Sequence, residues 1–114
     1  EDDDFKNNIA INNQPKEDTA LNDIVLLPNV KEIMLGEKKE FNIYNYVNGE
    51  KQDDTFTIKV KGVPQKYFNF VLIDGNNFTI ENLKQYQINP LEIECIDDIT
   101  GNKINKKIWL GGNW

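Results

Sequence analysis

Any chemistry in this chain would have to come from carboxylates, amines and one thiol. Its 114 residues include 19 Asp and Glu and 13 Lys, with one Cys and no His, Ser or Arg. Without His or Ser, neither a Ser–His nor a Cys–His nucleophile pair can form. Zinc's usual ligand set is missing for the same reason, and no Arg is present to clamp a carboxylate or phosphate at two points. The carboxylates do fall in pairs: Asp53/Asp54, Glu92/Glu94 and Asp97/Asp98. Acid–base work needs two such groups facing across a cleft with separated pKa values. The two Asp pairs fall in expected loops and the Glu pair on an expected polar strand face, so all three read as solvated surface. Calcium is the one ion worth weighing, since the four aspartates could meet at one end of a sandwich and Asp74-Gly75-Asn76-Asn77 superficially resembles a calcium loop. The regular ligand spacing and closing Glu of such a loop are absent. The sequence therefore assigns no catalytic residue, metal ligand or cofactor.

Cys95 is in phase with Leu91 and Ile93 and reads as a small buried hydrophobe. A single Cys makes no internal disulfide, which fits folding in a reducing compartment. The remaining candidates are aromatic. Tyr44, Tyr46 and Trp109 lie on the polar side of their expected strands, and Trp114 follows Gly111-Gly112. Large rings facing outward mark binding surfaces. They could stack on sugar rings, pack on another protein, or be covered by another part of the chain. Trp114 reads as an anchor for an adjacent surface, because the two glycines are expected to free the backbone before it.

Those side chains must be positioned by strands. Tyr67–Asn82 reads as a hairpin, with Phe68, Phe70 and Leu72 on one face of its first strand. Phe78 and Ile80 share a face of the second, with Thr79 and Glu81 opposite. Asp-Gly and Asn at its turn tolerate positive φ, which a short connection favours. Further strands are expected over Val30–Leu35, Lys39–Val47, Thr55–Lys61, from Pro90 through Cys95, and over Lys106–Leu110. Asn48-Gly49 provides a turn, and Leu83–Asn89 a polar connection. No helical period is sustained. About seven short antiparallel strands argue an all-β, two-sheet sandwich with Greek-key connections, with a small barrel as the alternative. Residues 1–28 read as a polar arm or linker, in which Phe5, Ile9 and Ile11 are isolated apolar anchors, and residues 29–114 as the sandwich. Ile24–Leu27, just before Pro28, is either an edge strand or a plug that docks the arm. The chain begins at Glu1 rather than Met, and is expected to be a piece of a longer protein.

Net charge is −6, with no basic cluster, which repels phosphate backbones and makes nucleic acid a poor partner. No stretch approaches the ~20 apolar residues of a membrane-spanning helix.

Several segments together carry a family likeness: Phe41–Tyr46, Asp54–Ile58, Gly62-Val63-Pro64, Tyr67–Ile80, Pro90–Cys95 and the closing Ile108–Trp114. From about residue 30 onward the chain resembles immunoglobulin-like modules at the C-termini of structural proteins of phages and prophages infecting low-GC Gram-positive bacteria. The resemblance implies an immunoglobulin-like sandwich and a non-enzymatic accessory domain. Its place would be a virion or tail-like particle, assembled in the host cytoplasm. The implied partners are other particle subunits and, weakly, bacterial surface polysaccharide. Two other readings stay open: a carbohydrate-binding module using the exposed Tyr and Trp rings, and an accessory domain of a cell-wall hydrolase at the bacterial surface.

Overall fold

The computed structural model describes residues 21–112. Nine strands follow one another: β1 (Asp23–Leu27), β2 (Glu32–Ile33), β3 (Lys38–Val47), β4 (Glu50–Lys51), β5 (Phe56–Lys61), β6 (Phe68–Asp74), β7 (Asn77–Asn82), β8 (Tyr86–Asp97) and β9 (Lys103–Leu110). They form two sheets. One has the order β1-β3-β7-β6, with β4 extending the far end of β3; the other has the order β2-β9-β8-β5. With the seven longer strands lettered A to G in chain order, these sheets are ABED and GFC, the immunoglobulin arrangement. β2 is a second half of strand A, crossed to the other sheet just after the cis Leu27–Pro28 bond.

Period-two alternation builds the core, since every second side chain of a strand faces inward. Phe41 and Ile43 of β3, Phe78 and Ile80 of β7, Leu91, Ile93 and Cys95 of β8, and Ile108 and Leu110 of β9 are all fully buried. The Phe41 and Phe78 rings stack 5.2 Å apart across the directly opposed pair Phe41↔Phe78. Asn48-Gly49 turns β3 into β4 with both residues at positive φ, as a tight two-residue hairpin requires.

Four expectations need correction. First, the sandwich extends upstream of Pro28. Asp23–Leu27 pairs with Tyr46–Asn42 in β3, burying Leu26, so this run is an edge strand and the boundary expected at residue 28 moves to residue 23 or earlier. Second, the Val30–Leu35 strand shrinks to two residues and runs parallel, not antiparallel, to β9. It is held there by Trp109 N–H to Lys31 O and Gly111 N–H to Ile33 O, each 2.9 Å. Third, the β6–β7 turn uses no positive φ. Asp74 instead accepts the Asn76 backbone N–H at 2.8 Å and the Asn77 side-chain amide at 2.9 Å. Gly75 is required there for space, because a Cβ would sit 2.7 Å from Thr55. Fourth, β8 starts at Tyr86, inside the expected loop. Between the pairs Tyr86↔Leu110 and Leu91↔Ile108 the chain advances five residues on β8 against two on β9, so residues 87–90 stand out as a wide bulge.

Candidate interaction surfaces

The outward aromatic residues do not share a surface. Tyr44 and Tyr46 alternate with the buried Phe41 and Ile43 and face out from the first sheet, where both are half-buried. Lys51 Nζ lies 4.0 Å from the centre of the Tyr44 ring. Trp109 faces out from β9, in the other sheet, and is 39% exposed. A three-ring stacking platform is therefore excluded by topology: β3 and β9 lie in opposite layers, so their outward residues point away from each other. Around Trp109 the second sheet's outer face is an ion-pair lattice, with Lys61 and Lys107 flanking Glu92 and Lys103 beside Glu94. Phe5, Ile9, Ile11 and Trp114 lie outside the described residues.

The two ends of the sandwich differ in chemistry. At one end the β4–β5 loop, the β6–β7 turn and the β8–β9 loop come together. Of the four aspartates expected to meet there, the structure brings Asp54 and Asp97 into contact. Asp98 turns aside to accept the hydroxyls of Thr55 and Thr57 at 2.9 and 2.7 Å. Asp97 is buried, and its Oδ1 accepts the N–H groups of Ile99 and Thr100 at 2.8 and 3.1 Å. Its Oδ2 has no amide or hydroxyl donor, and meets the Asp54 carboxyl instead. The hydrogen bond to Asp97 raises the pKa of Asp54, helped by partial burial; Asn45, donating at 3.2 Å, opposes the rise. Burial pushes Asp97 upward, but the bonds from Asp54, Ile99 and Thr100 outweigh it and leave its pKa lowered. Of the two, Asp54 is therefore the one that holds a proton to higher pH. Among the described residues no three acidic or thiol groups converge as metal ligands.

The opposite end is apolar. Tyr67 and Tyr86 pack edge-on, with ring centres 4.8 Å apart. Beside them the β2–β3 turn, the β7–β8 loop and the β8 bulge raise Leu35, Leu83 and Ile88, each about half exposed or more; Ile88 reaches 74%. Together they line an open cleft of about 600 Å³. Lys66 and Lys84 sit at its rim, 5.6 and 5.5 Å from the centre of the Tyr67 ring. Beneath it lies Asn82, fully buried, whose amide donates to Ile33 O and Gly111 O, both at 2.8 Å. Those bonds join β2 to the residues leaving β9. Gly111 and Gly112 are buried against Glu32 and Gln85, so the glycines expected to release the backbone instead pin it beside this cleft.

Sequence reasoning missed this surface because its residues come from three connections in which no strand period runs. The signal present was compositional: Leu83 and Ile88 are large apolar residues in a stretch that otherwise reads as a polar connection, and Leu35 closes a segment expected to be a strand. Cys95 is buried as expected, and that burial, with the nearby Glu94 charge, pushes its thiol up to about 12. No protein-family model and no curated protein matches the chain.

Proposed function

We propose that this chain is a non-enzymatic structural or interaction domain of a phage virion or phage-tail-like particle, contacting neighbouring subunits and, weakly, the cell surface. The particle assignment rests on the family likeness of residues 30–114. The observation that carries the contact role is the apolar end. Leu35, Leu83 and Ile88 stand exposed around the Tyr67–Tyr86 pair, rimmed by Lys66 and Lys84. A contiguous apolar patch with a charged rim is the usual form of a protein contact. The contact of Asp54 with Asp97 supports the inert side of the reading, because the pair is engaged with the Asn45 amide and the Ile99 and Thr100 N–H groups in holding two loops together.

The test is a Leu83→Asp/Ile88→Asp variant built into the particle. Both side chains lie outside the core, so the domain should fold, as judged by an unchanged circular dichroism spectrum and cooperative melting. Cross-links from this domain to neighbouring subunits should fall about tenfold or more, as expected when anchors at a contact centre are lost. Unchanged cross-linking would overturn the proposal.

A further inference from the structure

A sheet edge left open invites another strand, and natural proteins blunt such edges with Lys, Pro or short length. Three of the four edges here are blunted. β5 carries Lys59 and Lys61, β2 is two residues long, and β1 runs into Pro28. β6 is the exception. Its seven residues, FNFVLID, hold neither Lys nor Pro, and among the described residues it pairs on one side only, with β7. Val71, Leu72 and Ile73 are exposed in succession, Leu72 by 54% although its position in the alternation faces inward. Between β6 and the facing edge β5 lies a groove of about 340 Å³ that opens onto Phe68, Phe70 and Val60. A strand laid along β6 would gain backbone hydrogen bonds and send alternate side chains into that groove.

We propose that β6 is a strand-acceptor site and that the strand it takes is residues 5–11 of a second copy of this chain. This deepens the subunit-contact reading above and rests on it. The segment Phe5-Lys6-Asn7-Asn8-Ile9-Ala10-Ile11 matches the length of β6, and its apolar anchors Phe5, Ile9 and Ile11 share one parity. In an added strand all three therefore face the groove. Charge selects the direction. Run parallel to β6, the acidic Glu1–Asp4 comes beside Lys66 and Lys84; run antiparallel, it comes beside Asp74.

Distance constrains the chain's own arm and not a neighbour's. Leu21, the first described residue, is held at Gly49, beyond the far end of β3. Reaching the end of a strand outside β6 from there means crossing four strand spacings, about 19 Å, while moving about six residues, or 20 Å, along the strands. The diagonal is about 28 Å, and the ten steps from residue 11 to residue 21 span at most about 35 Å. The chain's own arm would have to run almost straight across the sandwich end, whereas a neighbour's arm carries no such constraint.

The test is sedimentation velocity on the 114-residue chain, with hydrogen exchange read on β6 and β8. The native chain should self-associate, with β6 amides protected in the associated form. An Ile9→Asp/Ile11→Asp variant should associate about a hundredfold more weakly, two lost anchors at about tenfold each, and should lose β6 protection while β8 stays protected. Leu72→Lys, on the acceptor side, should weaken association with the arm intact. A native chain that stays monomeric overturns the proposal, with β6 protected or not, as does association that survives the arm variant. None of these outcomes bears on the cleft variant above, so the two readings fail separately.

Discussion

The two ends of this sandwich solve the same problem with opposite chemistry. Both must tie off three connections where strands stop and backbone groups lose their ladder partners. At the acidic end polar side chains do it: Asp97 caps two N–H groups, Asp98 takes two threonine hydroxyls, and Asp54 meets Asp97, its own pKa raised by that contact. Ile73 and Ile99 still stand exposed at that end. At the apolar end a single buried amide, Asn82, does the tying, and the loops above it turn leucine and isoleucine to solvent. What sets the apolar end apart is that Leu35, Leu83 and Ile88 line one cleft together, a shape fit for a partner.

The sharpest way to break this comparison is to remove its anchor. Asn82→Ala takes the amide donor from Gly111 O and one of the two donors from Ile33 O, which keeps the Gly111 N–H, and should cost about 2–3 kcal/mol, one orphaned group at about 1–3 and one lost bond at about 1. The unfolding midpoint in urea reports it, and a loss below about 1 kcal/mol would mean that Asn82 is not the tie. Next is Gly62→Ala, between β5 and β6. Gly62 has φ +95°, and an added Cβ would lie 2.7 Å from Pro90 O, so a loss of about 2 kcal/mol is expected by the same measurement.

At the acidic end the handle is pH. The raised pKa of Asp54 contributes stability in full below the ordinary carboxylate value, and that contribution is lost as pH rises through the raised value. The lowered pKa of Asp97 contributes above the ordinary value, and is lost as pH falls through the lowered one. The pair therefore contributes most near the ordinary carboxylate pKa of about 4. Asp54→Asn keeps a donor facing Asp97 at every pH, so thermal midpoints measured from about pH 4 to about 7 should lose their falling limb relative to the native chain. A variant curve parallel to the native one would refute the raised Asp54 pKa. The smallest effect belongs to Leu83→Lys, which should change stability by less than about 0.5 kcal/mol. A larger loss would show that the apolar end belongs to the core and is not an open surface.

Most of the layered architecture could be read from alternation alone. β5 presents an unbroken period of two, and β3, β7 and β9 present it over Phe41–Ile43, Phe78–Ile80 and Ile108–Leu110; the inward residues of these stretches are buried, Ile58 and Val60 of β5 only partly, and Thr79 on the outer side of β7 is buried as well. What escaped has physical causes. Ile24–Leu27 is four apolar residues in a row, which carries no period to tell an edge strand from a plug. β2 and β4 are too short to have one. The β8 bulge interrupts alternation where Gln87, Ile88 and Asn89 leave the ladder. Asn82 looked like a polar strand end, because nothing local marks a side chain whose partners lie 49 and 29 residues away. Tyr44, Tyr46 and Trp109 face outward, but single strands do not reveal which layer they join, and layer membership separates Tyr44 and Tyr46 from Trp109.

The parallel pairing of β2 with β9 has a mechanical consequence. The described chain comes in at the acidic end, at Leu21, and leaves at the apolar end, at Gly112, so a pull between these points runs along the strands. The bonds from Trp109 to Lys31 and from Gly111 to Ile33 then lie across the load and must rupture together, not one by one. Stretched in that direction, the domain should resist as a shear clamp, with Asn82 as its rivet.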